Sequence, residues 1–467
     1  MKDFSADSFP FPLHSFHIWQ GGKLLAENYY APYDPRQLHR MFSVTKSLTA
    51  LAIGGLVAEE KLSLSDPILR FFPEYAPESP HPYLAEMTIR HLLAMQTCYK
   101  ETTYKADPSS NWVRSFFTTP PDHRPGRVFK YDTSAAHTLA ALVKKLSGES
   151  VLGFLRPLFL NAIGFSGDAC ILKDPFGDEL GGSGLMARPG DLLLTAKLLL
   201  SIYKGSFRED YLPLFRKSSR RQDDAFWERF AAFVKEALSF QSPTIQQGKT
   251  LDELQGYGWQ FWRIRDGFAM YGMGGQYAAV YPGADLIIVS TADAQAAQGG
   301  TQILLDAMHD TYLALGGRPA PEGFASFSAE APSRPFPKEL LGNYEFLKND
   351  RGFESCEIKE TEVVLICQKK RFSFSLENEN LSYGQSKDPL YGETLFSRWS
   401  VSKDGALFLY AQILSECLGN IRMLLRGGDG RLTIALSHVE ESSFFAFSGF
   451  LEGVRTGCLR AEEIQGS

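Results

Sequence analysis

This 467-residue chain lacks several features that would direct its function elsewhere. Its six cysteines (98, 170, 356, 367, 417 and 458) are dispersed, with no Cys-x-x-Cys pair and no zinc-ligand spacing. That excludes a disulfide framework and a finger-type metal site, and suits buried thiols in a reducing compartment. The net charge is −6 with no basic block, so the chain carries no electrostatic footprint for nucleic acid. The longest apolar run, Leu192 to Ile202, is interrupted by Lys197 and falls well short of the ~20 residues that span a bilayer. Met1 to Asp7 shows no basic region followed by an apolar one, hence no signal peptide. These absences together predict a cytoplasmic protein without a membrane or nucleic-acid partner. There is no Gly-x-Ser-x-Gly elbow, no Walker loop and no His-Glu-x-x-His. Gly182-x-Gly184-x-x-Ala187 follows no strand and runs into Pro189, so it is no dinucleotide fingerprint. Nothing in the sequence partners His14 or His17, which read as hairpin histidines. No cofactor and no metal are expected.

What is present is ample material for a core: 44% hydrophobic and 13% aromatic residues. The length favours two domains, and a Pro/Gly-rich stretch from Gly316 to Pro337 reads as the join. The predicted division is a first domain over 1–317, a linker over 318–337 and a second domain over 338–467. Phe16–Trp19 and Leu24–Tyr30 flank Gly21-Gly22 as a β-hairpin. Helices are predicted from Ser43 to about Lys61, over Ala135–Leu146, Leu192–Ser201 and Trp227–Leu238, and from about Gln302 to Leu315. A short helix is expected after Thr88, and 97–127 reads as loop. Strands are expected at Gly256–Trp262, Ala278–Tyr281 and Leu286–Ser290. Beyond the linker, strand-length runs alternate with turns: Glu362–Cys367, Arg371–Leu376, Leu407–Tyr410, Arg422–Leu425, Leu432–Leu436 and Phe444–Phe447. This part reads as all-β, a barrel or sandwich.

The chemistry centres on Met41-Phe42-Ser43-Val44-Thr45-Lys46. Ser43 and Lys46 are three apart at the start of a helix, so both side chains project from one face. The helix N-terminus favours an anion formed beside Ser43. A lysine held among apolar groups gives up its charge more readily and could take the serine's proton. Ser-x-x-Lys also occurs at Ser201/Lys204 and Ser400/Lys403, so the spacing alone selects nothing. The plain alternative for the first copy is a capping serine with a solvated lysine.

Further stretches occur in a fixed order: Thr88-Ile89-Arg90-His91-Leu92-Leu93, then Pro125-Gly126-x-x-Phe129-x-Tyr131, Gly184-Leu185 before Asp191, Tyr257-Gly258-Trp259, and Gly272-Met273-Gly274-Gly275-Gln276. Over about residues 14–317 this set resembles the serine β-lactamase-related family, which includes class C β-lactamases, penicillin-binding carboxypeptidases, and related esterases and amide hydrolases. The resemblance implies an α+β fold, β-lactamase/transpeptidase-like, with an antiparallel sheet flanked by helices plus a helical subdomain. An all-β, barrel-like (lipocalin-like) C-terminal domain would follow. It implies an acyl-enzyme at Ser43 with Lys46 as base and Tyr131 as proton relay. The N–H groups of Ser43 and Met273 would form the oxyanion hole. Thr133, Met270, Tyr271, Gly272, Met273, Gly274 and Gln276 would line the substrate site. Two departures bear on substrate. Thr133 stands where Asn or Ser is usual, and Met270-Tyr271-Gly272 replaces Lys-Thr-Gly, removing the cation that would pair with a substrate carboxylate. The expected substrate is therefore a small ester, amide or short peptide-like molecule. The alternatives are a weak β-lactamase, a D-Ala-peptide carboxypeptidase, or a penicillin-binding sensor without turnover. Oligomeric state is not legible.

Overall fold

The computed structural model describes residues 8–30, 33–105, 107–221, 223–317, 334–349, 351–376, 384–387, 394–402, 404–414, 418–440 and 449–457. Met1–Asp7, most of the predicted linker (318–333), the Phe444–Phe447 run, Lys403, Cys417 and Cys458 lie outside the described residues. The chain divides into two compact units: 1–97, 101–119 and 129–323 in one, and 98–100, 120–128 and 324–467 in the other.

In the first unit, β1 (Leu13–Gln20) and β2 (Lys23–Tyr29) form the hairpin over Gly21-Gly22. A small sheet joins β3 (His39–Arg40), β4 (Cys170–Ile171) and β5 (Leu185–Ala187) in the order β3-β5-β4. The main sheet adds β6 (Trp262–Ile264), β7 (Gly267–Gly272), β8 (Gln276–Tyr281) and β9 (Leu286–Ala292). Its order is β2-β1-β9-β8-β7-β6, antiparallel throughout, with Phe16 opposite Ser290 where the two ends of the unit meet. Alternation assigns the faces. Ala269, Tyr277, Ala279, Leu286 and Ile288 share a buried cluster with Phe9, Phe11 and with Leu304 and Met308 of the Gly300–Ala314 helix. The helices Val44–Ala58 and Pro189–Lys204 also pack on the sheet.

The Val44–Ala58 helix is buried on every face. Every residue but Val57 is buried, because the helix is enclosed by β7 and by the helices Thr133–Ser147, Val151–Leu155 and Asp224–Ala237. Its hydroxyls survive burial by finding acceptors: Ser47 Oγ donates to Gln260 O and Thr49 Oγ1 to Gly181 O, both at 2.8 Å.

Other elements differ in detail. The 97–127 loop contains a helix, Trp112–Thr118, capped by Asn111 accepting from the Arg114 N–H. The expected strand over 256–262 reduces to β6, since Gln260 takes a left-handed φ of +66° and breaks the run. His14 has a partner after all. Its Nδ1 lies 3.0 Å from Nε2 of His39, and burial first, then His39, push its pKa down to about 4, so the contact is between neutral rings.

The second unit is built on one ten-stranded sheet. Its strands are β10 (Gly342–Phe346), β11 (Phe353–Ile358), β12 (Glu362–Cys367), β13 (Lys370–Ser375), β14 (Gly384–Lys387), β15 (Thr394–Val401), β16 (Leu407–Leu414), β17 (Leu418–Gly428), β18 (Arg431–Glu440) and β19 (Gly449–Arg455). Two meanders are joined through β10 and β19, giving the order β13-β12-β11-β10-β19-β18-β17-β16-β15-β14. The core comes from every second residue, as in Leu407, Leu409 and Ala411, and Leu432, Ile434 and Leu436. Near the free edges Trp399 Nε1 donates to Leu376 O at 2.7 Å. Residues 120–128 belong to this unit through side chains: Arg124 and Arg127 pair with Asp429, Arg127 Nη1 donates to Gly427 O, and the His123 ring stacks on Phe450. Among the described residues no helix is long and apolar enough to cross a membrane.

Candidate active site

The turn that opens the Val44–Ala58 helix is unusual from its first residue. Phe42 has a φ of +46°, a left-handed conformation that a bulky L-residue adopts only under constraint. Backbone bonds Val44 N to Met41 O and Lys46 N to Ser43 O close the turn. Ser43 occupies the N-cap without making a side-chain cap bond, so its hydroxyl is available to other partners. One of these is Lys46, whose Nζ lies 3.0 Å from Ser43 Oγ, 3.3 Å from Thr133 Oγ1 and 2.7 Å from Gly182 O. Lys46 is 1% exposed, so the solvated-lysine alternative is overturned.

Burial pushes the Lys46 pKa from 10.5 down to about 7, partly opposed by the charge of Asp132. The three neighbours then discriminate between its states. An ammonium has three N–H bonds and could serve all three oxygens. A neutral amine has two, which Gly182 O and Thr133 Oγ1 can take, leaving its lone pair for the Ser43 O–H.

The Gly182 carbonyl reaches the lysine because residue 182 lies hard against the Thr133–Ser147 helix. A Cβ there would sit 2.6 Å from Thr133 Cγ2 and 3.0 Å from Thr133 O, so the approach requires glycine. Thr133 is fixed from its other side, its N–H donating to Thr102 Oγ1 at 3.1 Å. Asp132 caps the same helix through the Ser134 N–H and also accepts from Thr97. Its burial raises its pKa, with those donors opposing.

Tyr131 stands across from Lys46, whose Nζ is 4.8 Å from the phenol ring centroid. The Tyr131 hydroxyl is within hydrogen-bonding reach of Ser43 and Trp262, and burial pushes its pKa well above the ordinary tyrosine value. It is therefore a neutral phenol at any physiological pH. Its ring stacks on Trp262 at 5.6 Å and meets Tyr257 edge-on, and its N–H donates to Gln247 Oε1.

The end of β7 meets the serine turn at Gly272, where a Cβ would come within 2.3 Å of Met41 O. This contact sets Gly272, and Met273 after it, beside Ser43. Gly274 continues at φ +84° and Met273 is exposed. Two expected substrate residues sit otherwise. Gln276 is buried, its amide donating to Ala292 O and Met273 O, so it holds the β7–β8 turn instead of facing a substrate. Met270 is also buried, on the opposite side of β7 from Ala269 and Tyr271. Tyr271 is half-buried, and its hydroxyl donates to Glu253 Oε1 at 2.8 Å. The second Ser-x-x-Lys copy is occupied elsewhere: Ser201 donates to Asp210 and Lys204 pairs with Asp285. Ser400 is exposed on β15.

Sequence reasoning missed Thr102, Gln247, Glu253 and Trp262. No local sequence pattern marks Glu253 or Gln247. Asp132 could have been found as the helix-capping residue between Tyr131 and Thr133.

The sequence model described as Beta-lactamase matches residues 12–307, and the chain belongs to that family. Among curated proteins it is similar to the 6-aminohexanoate-dimer hydrolase of Paenarthrobacter ureafaciens, 23% identical over 205 residues, which is 40% of this chain and 51% of the relative. The match thus spans about half the length of that relative. Among solved structures, a Bacillus anthracis protein provisionally named a 6-aminohexanoate-dimer hydrolase aligns at a TM-score of 0.50 and 19% identity, over 64% of this chain and 78% of its own. SurE aligns at 0.51 and 16% identity over 94% of both chains. These likenesses show the fold: a β-lactamase/transpeptidase-like domain followed by an all-β half-barrel domain.

Proposed function

We propose that the protein hydrolyses small esters or amides through an acyl-enzyme at Ser43. The observation that carries this reading is the buried amine of Lys46, 3.0 Å from Ser43 Oγ with its pKa lowered to about 7. Neutral Lys46 takes the Ser43 proton as Oγ bonds to the substrate's carbonyl carbon, and the carbonyl electron pair moves onto oxygen. The N–H groups of Ser43 and Met273 hold that oxyanion. Collapse expels the leaving group, which takes a proton from Tyr131. The Lys46 ammonium gives its proton back to Tyr131, which restores the neutral amine and the phenol. A water then repeats the sequence on the acyl group and frees Ser43. The raised pKa of Tyr131 supports its place as acid, and leaves Lys46 as the base. The absence of a cation from Met270-Tyr271-Gly272 weighs against carboxylate-bearing β-lactams and D-Ala peptides.

The test is covalent. A fluorophosphonate probe should label Ser43, mapped by mass spectrometry, and the label should block turnover of a p-nitrophenyl ester. An adduct at Ser201 or Ser400 with Ser43 unmodified would overturn the assignment.

A further inference from the structure

The side of the site beyond Tyr131 has a chemistry of its own. Trp262 stacks on Tyr131 at 5.6 Å and lies against Tyr271, again at 5.6 Å between ring centroids. The three rings form one wall, and Tyr131 and Tyr271 keep part of their surface open. At its end stands the half-buried Glu253 carboxylate, accepting from Tyr271 Oη at 2.8 Å and from the Lys249 backbone N–H at 2.6 Å. A carboxylate offers about four acceptor positions, so two bonds leave it capacity. Among the described residues no cation pairs with Glu253, whereas its neighbour Asp252 is neutralised by Arg265 at 2.9 Å. The charges that act on the phenols of Tyr131 and Tyr271 include that same carboxylate, and the amine over the Tyr131 ring is Lys46, whose burial disfavours its charged form.

Electron-rich ring faces with one unneutralised carboxylate attract a weakly hydrated cation through both the ring quadrupoles and the charge. We infer that the wall of Tyr131, Trp262 and Tyr271 with Glu253 is a subsite for a quaternary or alkylated ammonium group on the substrate's leaving group. This rests on the acyl-serine reading, because it is Tyr131, as proton donor, that places the leaving group on this side. The substrate class is then an ester or amide whose alcohol or amine carries a positive nitrogen a few bonds from the scissile linkage. The inference inverts the carboxylate-reading cation that the family resemblance would have placed on β7.

Protection of Ser43 tests this without any need for turnover. The fluorophosphonate labelling rate of the full-length protein is measured with choline and, separately, with its uncharged carbon isostere 3,3-dimethylbutanol at equal concentration. Choline should slow labelling about fivefold or more at saturation, and the isostere clearly less, as expected for a cation held against aromatic faces. Glu253→Gln, compared with its own unprotected rate, should lose most of the choline effect. Equal protection by both alcohols, or none by choline, while Ser43 still labels would overturn the subsite and leave the acyl-serine reading standing. Failure of Ser43 to label at all would remove that reading and the inference with it.

Discussion

Raising the pH through neutrality is expected to switch on the reactivity of Ser43, with a midpoint set by Lys46. Burial lowers that pKa from 10.5 to about 7, against the opposing charge of Asp132. At about 1.4 kcal/mol per unit, the surroundings disfavour the ammonium by roughly 5 kcal/mol. A lysine with its ordinary pKa would be neutral in only about one molecule in three thousand at pH 7, so burial raises the available base by about three orders of magnitude. The direction follows from the role. In the proposed role the neutral amine accepts the serine proton, so the rate should climb about tenfold per pH unit below the midpoint and level off above it. The same shift fixes the sign of a stability effect. Between pH 7 and 10.5 the unfolded chain holds more protons than the native one, so this group makes stability rise with pH across that window and adds no slope below it. The assay is the fluorophosphonate labelling rate of Ser43 from about pH 5.5 to about pH 8.5, alongside kcat/KM for a p-nitrophenyl ester corrected for spontaneous hydrolysis. Lys46→Arg, whose guanidinium does not deprotonate, should be inert at every pH. A labelling rate that is flat across this range, or an active Lys46→Arg, would refute the reasoning.

Thr133→Val removes one acceptor from Lys46; because hydrogen bonds to a charged donor are the stronger ones, the ammonium loses more, and the rising limb should move to lower pH. Gly182→Ala sets a methyl 2.6 Å from Thr133 Cγ2; urea melts should show about 1–3 kcal/mol of destabilisation, and labelling should slow as the carbonyl leaves Lys46. Gly272→Ala meets Met41 O at 2.3 Å and should cut ester kcat/KM by about tenfold or more through displacement of β7 from Ser43. In the double variant Ser43→Ala/Lys46→Ala, residual turnover should match that of either single change, because the two act as a unit; additive losses would separate them.

Much of the candidate site's geometry was legible because it is local. Ser43 and Lys46 sit one turn apart on a helix, and the three-residue interval alone places Nζ within reach of Oγ. Which of three such intervals matters was not local. Ser201 and Lys204 have the same spacing, and their disqualification depends on Asp210 and Asp285, distant in sequence or in another element. The Val44–Ala58 helix shows the same limit: apolar periodicity announces a helix, but enclosure on every side is decided by neighbours from four other segments. Gln276 was placed at the substrate site by the family resemblance of its stretch, whereas its amide donates to carbonyls at the β7–β8 turn. Glu253 and Trp262 reach the site by tertiary packing, without a motif.

The make-up of the second unit constrains how the protein can be made and divided. It takes in residues 98–100 and 120–128, and the latter run directly into Phe129 and Tyr131. On the ribosome, Arg124 and Arg127 therefore emerge some three hundred residues before Asp429, their ion-pair partner. The loop leading to Tyr131 cannot reach its final surroundings until almost the whole chain has been synthesised. A nascent chain released early would carry Arg124 and Arg127 without their ion-pair partner, so segment 120–128 settles only in the finished polypeptide.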